Sequence, residues 1–156
     1  MHTYRHRGAR SPPARRTVTC DTVRMHPADA CPCGSRRHYA DCCRPAHLGE
    51  TPSPTAERLM RSRYSANVLG SAPYLLASWH PSTRPARIDL DDDVRWRRLQ
   101  IVDTARGEEG DVDGLVEFRA SYRSTEGVGL VHERSRFVRE DGRWYYVDGD
   151  LLDDES

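Results

Sequence analysis

The sequence predicts an α+β protein in which helices are followed by a mostly antiparallel, four-stranded sheet, with a small cysteine-rich element ahead of both. Three features predict this order. Apolar residues recur at helical spacing between residues 56 and 68, they alternate with polar residues from residue 94 onward, and four cysteines fall between residues 31 and 43. The 156 residues are enough for one main domain and one small element, because single domains usually contain about 100–150 residues.

Residues 1–29 are expected to form a disordered extension. They contain adjacent prolines at positions 12 and 13, scattered arginines and no apolar periodicity. Such a segment cannot bury enough apolar surface to offset the entropy that is lost on ordering. A natural start at Met25 is the alternative, and it leaves open whether residues 1–24 belong to the protein.

Charge and hydropathy disfavour two classes of partner. Residues 1–30 carry six arginines against two carboxylates, whereas the remaining residues carry 18 arginines against 22 carboxylates and contain no long basic run. Nucleic-acid binding needs a concentrated basic face, so nucleic acid is not an expected partner. No apolar stretch approaches the roughly 20 residues that a membrane span needs, and the N-terminus lacks the apolar segment of a secretory signal. We therefore expect a cytoplasmic protein without a membrane partner.

The cysteine cluster predicts a metal site. It consists of Cys31-Pro32-Cys33 and Cys42-Cys43, which lie within thirteen residues. Thiolates suit a borderline-soft ion such as zinc, and four of them close a tetrahedral shell that leaves no position for water. The expected cofactor is therefore a structural zinc ion, and its expected ligands are Cys31, Cys33, Cys42 and Cys43. Metal binding would supply the folding energy, because so short an element has no core of its own.

Two disulfides and redox chemistry are the alternatives for this cluster. The adjacency of Cys42 and Cys43 and the reducing cytosol disfavour disulfides, and the Cys-x-x-Cys spacing of redox sites is absent.

A linker and a helix are predicted next. Residues 50–54 are rich in Thr, Ser and Pro, and Ser53 or Thr55 can cap a helix that has Pro54 in its first turn and ends at Gly70. The side chains expected to face the core are Ala56, Leu59, Met60, Tyr64 and Val68. Those expected largely outside this stripe are Arg58, Arg61 and Ser62.

A second, shorter helix is predicted to begin at Ser71 and to include Trp79, before Pro81 breaks the chain.

Four strands are then predicted, because β-branched and aromatic runs separated by turn residues occupy positions 96–102, 115–122, 128–138 and 144–147. The dipeptide Asp141-Gly142, between the last two runs, is typical of a two-residue hairpin turn. The sheet is therefore expected to be mostly antiparallel.

Two parts of the sequence resemble known families. Residues 31–35, with Tyr39 and the Cys42-Cys43 pair, resemble the SEC-C motif, the zinc-binding element that also occurs at the C-terminus of the SecA translocation ATPase. Further segments resemble the YchJ-like family of uncharacterised bacterial proteins, namely residues 54–57, 59–66, 79–85 and 132–137. Arg36 departs from the motif, which usually has a second glycine at this position.

The resemblance implies a SEC-C-like zinc element at residues 30–48 and a nuclear-transport-factor-2-like (NTF2-like) domain at residues 54–150. The implied fold of the domain is a cystatin-type α+β cone, in which helices pack on a curved, mostly antiparallel four-stranded sheet. Proteins of this fold include dehydratases, isomerases, cyclases and plain binding modules, so the fold does not select an activity.

The open end of such a cone is the expected binding site, because a curved sheet and its helices can enclose an apolar cavity. The candidates to line it are Arg61, Arg63, Tyr64, Trp79, His80, Glu133 and Ser135. His132 and Glu133 are neighbours in a strand, so they point to opposite faces. Glu133 shares its face with apolar side chains, and we expect it to pair with Arg61 or Arg63. His80 is expected to cap a helix end, with a general base as its alternative role.

These features favour a binding or adaptor module. A closed metal shell performs no catalysis, and no convincing pair of nucleophile and base is present, so no residue is assigned a catalytic role. The expected partners are a small molecule or peptide in the cone, a protein that contacts the zinc element, or a second copy of the chain. The alternative is a small dehydratase-like or isomerase-like enzyme, in which Glu133 or His80 transfers a proton in the cone.

Overall fold

The computed structural model describes His26 and residues 28–153. The residues expected to form a disordered extension lie almost wholly outside this part of the chain. The described elements are a 3-10 turn (Tyr39–Asp41), the helices α1 (Arg44–His47), α2 (Ala56–Leu69) and α3 (Ala72–Ala77), and the strands β1 (Arg95–Arg106), β2 (Asp113–Ser124), β3 (Gly127–Glu140) and β4 (Arg143–Leu151). None of these helices is long and apolar enough to cross a membrane.

The four strands form one antiparallel sheet in the order β1-β2-β3-β4, as the sequence predicted. The hairpin between β3 and β4 is the predicted one, because Asp141 and Gly142 both have positive φ, at 51° and 76°. The pairing shifts register twice between β1 and β2 and once between β3 and β4. Such bulges bend a strand and increase its twist, which favours a curved sheet.

The two outer edges of the sheet differ. The segment that follows α3 lies beside β4, where Tyr146 N donates to Ser78 O over 2.9 Å and His80 N donates to Tyr146 O over 2.7 Å. Trp79 and Tyr146 therefore form a short parallel bridge at this edge. Within the described part of the chain, no strand pairs with the outer edge of β1.

Helix α2 has nearly the expected boundaries. Thr55 Oγ1 accepts a hydrogen bond from Arg58 N at 3.1 Å, so Thr55 rather than Ser53 caps the helix, and Pro54 precedes the cap. Gly70 ends the helix in the left-handed conformation, with φ of 73°. Helix α3 is shorter than predicted, because it ends at Ala77 and the chain then turns toward β4.

Helix α2 packs on one face of the sheet, the inner face, and α3 packs beside it against α2. The side chains that the strands bury there are Val116, Phe118, Ala120, Val131, Phe137, Trp144 and Tyr146. The cysteine-rich element covers another side of α2 through His47, and Tyr74 of α3 contacts the Ser62 hydroxyl, so Ser62 is only 1% exposed. Its Oγ also donates to Leu59 O at 2.7 Å. The expectation that Ser62 lies outside the core was wrong, because the apolar pattern of α2 does not show this second layer.

Candidate metal centre and interior polar network

The four predicted ligands form one buried cluster. All four Sγ atoms lie within 4.8 Å of one another. Cys42 Sγ lies 3.6 Å from Cys33 Sγ and 3.9 Å from Cys43 Sγ, and all four cysteines are free of disulfides. Metal–sulfur bonds of about 2.3 Å in a tetrahedral shell place the sulfurs about 3.8 Å apart, so the cluster fits a four-coordinate metal ion.

A tight loop follows the first cysteine of the cluster. Gly34 has φ of 79°, and its N–H donates to Cys31 O at 3.2 Å. Ser35 Oγ then lies 3.1 Å from Cys42 Sγ. Arg36 stands where the SEC-C motif usually has glycine, and it adopts a φ of 69°, a conformation that glycine takes freely. The departure from the motif therefore keeps the turn of the loop.

Helix α2 supplies polar groups to the sulfurs. Ser65 is fully buried in the middle of the helix. Its Oγ donates to Cys43 Sγ at 3.3 Å and lies 3.6 Å from Cys31 Sγ. Arg58 Nη2 donates to Cys42 Sγ at 3.5 Å. Such groups around a metal site orient the ligands and stabilise their charge. Sequence spacing could not indicate them, because they lie outside the motif.

The thiols also influence one another. Hydrogen bonds from the thiols of Cys31 and Cys43 lower the pKa of Cys33, which favours a thiolate at this position. The hydrogen bond with Cys33 raises the pKa of Cys31, and the hydrogen bond with Cys31 raises the pKa of Cys43. Because metals bind the thiolate form, Cys33 is the sulfur best prepared for a metal, and metal binding would displace protons from the others.

Two further contacts fix the element on α2. Arg61 Nη1 donates to Cys33 O at 2.9 Å, and its Nε donates to Glu57 at 3.1 Å. His47 Nε2 donates to Ser62 O at 2.8 Å, so His47 Nδ1 accepts the hydrogen bond from Tyr39 Oη at 2.7 Å. Burial lowers the pKa of His47, which keeps this imidazole neutral.

Glu133 lies at the centre of the inner face and is fully buried. Its Oε1 accepts hydrogen bonds from Ser135 Oγ at 2.9 Å and from Tyr146 Oη at 3.0 Å. Gly149 on β4 makes room for this carboxylate, because a Cβ at Gly149 would overlap Oε1 and would lie 2.8 Å from Cδ of Glu133. The carboxylate therefore belongs to a polar network inside the core.

Arg63 takes part in the same region of the core. Its Nη1 donates to Leu75 O at 2.8 Å and to Ser78 Oγ at 2.7 Å. Its guanidinium carbon lies 4.6 Å from the ring centroid of Tyr146 and 5.2 Å from that of Trp79. Arg63 and Glu133 thus contact the same tyrosine, one at the ring face and the other at the hydroxyl.

Of the two arginines expected as alternative partners of Glu133, Arg61 has other partners. The guanidinium of Arg61 bonds the metal element and Glu57 instead, because α2 presents it to the side that the cysteine-rich element covers. Direct pairing with Arg63, the other expected partner, stays a prediction.

His80 has a different role from the expected cap. Helix α3 ends at Ala77, and the His80 ring lies beyond it, where Nδ1 accepts a hydrogen bond from Ser82 N at 3.1 Å. The other ring nitrogen, Nε2, lies 2.9 Å from Glu140 Oε1. The structure therefore gives His80 and Glu133 separate sets of partners.

The other pocket candidates are core residues. Tyr64 is 1% exposed and packs edge-on against Trp96, with ring centroids 6.1 Å apart, and Trp79 is 5% exposed and packs against Tyr146. Ser135 is fully buried beside Glu133. Each of these side chains therefore packs against other neighbours within the core.

A second ionic cluster lies on the outer face of the sheet. His132 Nε2 lies 3.0 Å from Glu117 Oε2, and Arg134 Nη1 donates to Glu117 Oε1 at 3.1 Å. The hydrogen bond from His132 makes the largest contribution to lowering the pKa of Glu117, and the hydrogen bond from Arg134 lowers it further. The alternation along β2 and β3 places these residues on one face, but only the register of the strands brings them together.

Known protein families match both parts of the chain. Residues 55–149 match the family model described as the middle, NTF2-like domain of YchJ, and residues 28–45 match the SEC-C motif. A UPF0225 protein from Streptomyces coelicolor is 55% identical over 81% of this chain and 99% of its own length. A UPF0225 protein from Chromobacterium violaceum is 50% identical over 77% of this chain and 91% of its own length.

Two solved structures have the same architecture. The solution structure of a SEC-C motif containing protein from Rhodopseudomonas palustris has a TM-score of 0.70 at 32% identity and covers 80% of this chain and 100% of that one. A crystal structure of a SEC-C motif containing protein from Psychrobacter arcticus has a TM-score of 0.63 at 26% identity, with 86% of each chain covered. The chain therefore belongs to the UPF0225 family of bacterial proteins, through a SEC-C motif that precedes a YchJ-type NTF2-like domain.

Proposed function

We propose that this chain is a zinc-stabilised binding module in which the metal has a structural role. The observation that carries the proposal is the cluster of four buried thiols, whose separations suit a tetrahedral shell. Zinc is the metal best suited to four cysteine ligands in one closed shell, and no ligand position is left for water or substrate. The residues that would hold it are Cys31, Cys33, Cys42 and Cys43.

The contacts around the sulfurs support a role in folding. Ser65 and Arg58 donate to the sulfurs from α2, and Arg61 holds the loop carbonyl of Cys33. When bound, the metal would supply the cohesion that this small element cannot obtain from a hydrophobic core. In this proposal the protein is cytoplasmic, because a reducing compartment keeps the thiols available to the metal.

The interior of the domain favours binding over proton-transfer chemistry. The two candidate bases are held in different contacts, Glu133 by Ser135 and Tyr146 and His80 by Ser82 and Glu140. For the two groups to transfer protons in one reaction, both side chains would need to lie within reach of the same substrate. An adaptor role, with a protein partner at the exposed side of the metal element, belongs to the same proposal.

Native mass spectrometry of the full chain tests the metal. We expect one zinc ion per subunit in the parent protein and none in the Cys31→Ser/Cys33→Ser variant. Ser62→Ala is the matched control, because its hydroxyl is buried on the same helix but bonds Leu59 O rather than a sulfur. Undiminished zinc in the cysteine variant would contradict the assignment, and the same spectra report subunit number and any retained ligand.

A further inference from the structure

A cleft lies where the metal element joins the NTF2-like domain. Its volume is about 380 Å³, within the range of roughly 300–1,000 Å³ that is usual for small-molecule sites. One wall is the segment from Ala46 to Ser53, and the opposite walls are α3 and the start of β4 at Arg143, Trp144 and Tyr145. The cleft is therefore complete only when the metal element is in place against the domain.

The floor of the cleft is apolar and fixed. Trp144 Nε1 donates to Pro54 O at 3.2 Å, and Tyr74 Oη lies 2.7 Å from Ser62 Oγ. The ring of His47 packs edge-on against Tyr74, with centroids 4.7 Å apart. Since these polar groups already have partners, the floor offers a ligand mainly ring and aliphatic surface.

The mouth of the cleft carries a positive charge. Among the described residues that line it, Arg143 is the only arginine, and no aspartate or glutamate is present, whereas both ring nitrogens of His47 are occupied by Tyr39 Oη and Ser62 O. Arg143 is exposed, and no carboxylate of residues 28–153 lies within salt-bridge distance of it. A guanidinium in this position can bind a carboxylate through two parallel hydrogen bonds.

We propose that this cleft binds a small organic carboxylate with an aromatic or aliphatic body. The body lies on Tyr74 and Trp144, and the carboxylate bonds the guanidinium of Arg143. The inference deepens the proposed binding function and rests on it, since it names the site and the chemical class of its ligand. The size of the cleft and its single charge favour a small acid over a longer segment of a partner protein.

The test uses the full-length, ¹⁵N-labelled chain with its zinc content verified separately. The probes are phenylacetate and indole-3-acetate, each compared with its amide, which has the same shape without the charge. We expect saturable shifts at the Trp144 indole N–H and at the amides of Thr51 and Ser78. The dissociation constant for each acid should be about tenfold lower than for its amide, because a hydrogen bond to a charged group contributes this much.

Two variants and two controls separate the parts of the site. Arg143→Gln should remove the preference for the acid, and Ala77→Phe should weaken acid and amide alike because it fills the cleft from an exposed position. Arg97→Gln and Ala86→Phe, which alter exposed residues outside the cleft, should change neither.

Three results would overturn the inference: no saturation by millimolar probe, an unchanged acid preference in Arg143→Gln, or equal weakening in the controls. Because zinc content is measured separately, such a result in zinc-loaded protein refutes the ligand assignment alone. If the parent chain bound no zinc, the proposed function would be refuted instead.

Discussion

The hydroxyl of Ser65, in the middle of α2, donates a hydrogen bond to Cys43 Sγ across 3.3 Å. The metal element and the NTF2-like domain therefore share a buried contact at the metal cluster itself. Arg61 and Arg58, about one and two turns earlier on the same helix face, add contacts to Cys33 O and Cys42 Sγ. The stability of the domain should consequently depend on the metal.

Metal removal should destabilise the whole chain. A strong zinc chelator is expected to lower the melting temperature by on the order of 10 °C, because structural zinc contributes several kcal/mol to folding. Differential scanning calorimetry with and without the chelator measures this. The Cys31→Ser/Cys33→Ser variant should melt at the lower temperature in both conditions. An unchanged transition in chelator-treated, zinc-free parent protein would show that the domain does not depend on the metal.

Ser65→Ala should weaken metal binding. Loss of the hydroxyl removes a hydrogen bond to a buried thiolate, and loss of such a contact typically lowers metal affinity by about 10- to 100-fold. Competition between the protein and a chromophoric chelator gives the affinity, and the thiolate-to-metal absorption of the cobalt-loaded protein reports the sulfur environment. Ser62→Ala should leave both unchanged. Equal affinities for the two alanine variants would contradict a role of Ser65 at the cluster.

Glu133 and Arg63 are predicted to be energetically coupled. Removing one charge of a buried pair costs about 3–5 kcal/mol, and the double variant should recover much of that loss. Chemical denaturation of Glu133→Gln, Arg63→Met and the double variant gives the coupling free energy. Simple additivity, or a Glu133→Gln variant as stable as the parent, would show that the two charges do not stabilise each other.

Gly149→Ala should destabilise the core. The added methyl group would overlap the carboxylate of Glu133, and such overpacking typically costs about 1–3 kcal/mol. The cost should shrink in the Glu133→Ala background, where the obstructing group is gone. Equal costs in both backgrounds, measured by urea denaturation, would mean that the carboxylate is not the obstacle.

A chain that begins at Met25 should fold and bind metal as the full chain does. The composition of residues 1–24 is the reason for this expectation, because it provides almost no apolar periodicity for packing. Thermal unfolding and zinc content of the shortened protein measure it. A lower melting temperature or a loss of zinc would show that the removed residues contribute to the fold.

The sequence predicted those features whose cause is local. The thiols within thirteen residues indicated the metal cluster, Thr55 and Gly70 bounded α2, and the Asp141-Gly142 turn paired the last two strands. In each case a short stretch of chain contains the whole physical reason for the structure. The family resemblance agreed with the order of elements derived from these patterns.

The sequence did not predict contacts that depend on tertiary packing. Ser65 is 22 residues from Cys43, and Ser62 looked exposed only because the layer over α2 is absent from the helical pattern. For Glu133, no spacing indicated Tyr146 and Gly149, which the register of β3 and β4 brings to its carboxylate. Such neighbours follow from the assembled fold rather than from spacing along the chain.

The two edges of the sheet limit how copies of this protein can associate. At β4, the backbone of Ser78 and His80 already occupies the hydrogen-bonding groups of Tyr146. At β1, two bulges interrupt the row of amides, and Arg95, Arg97 and Arg98 place like charges along the strand. Bulges and charges of this kind oppose the docking of a further strand. At these positions the sheet resists edge-to-edge polymerisation, the route by which exposed strands lead to aggregates at high protein concentration.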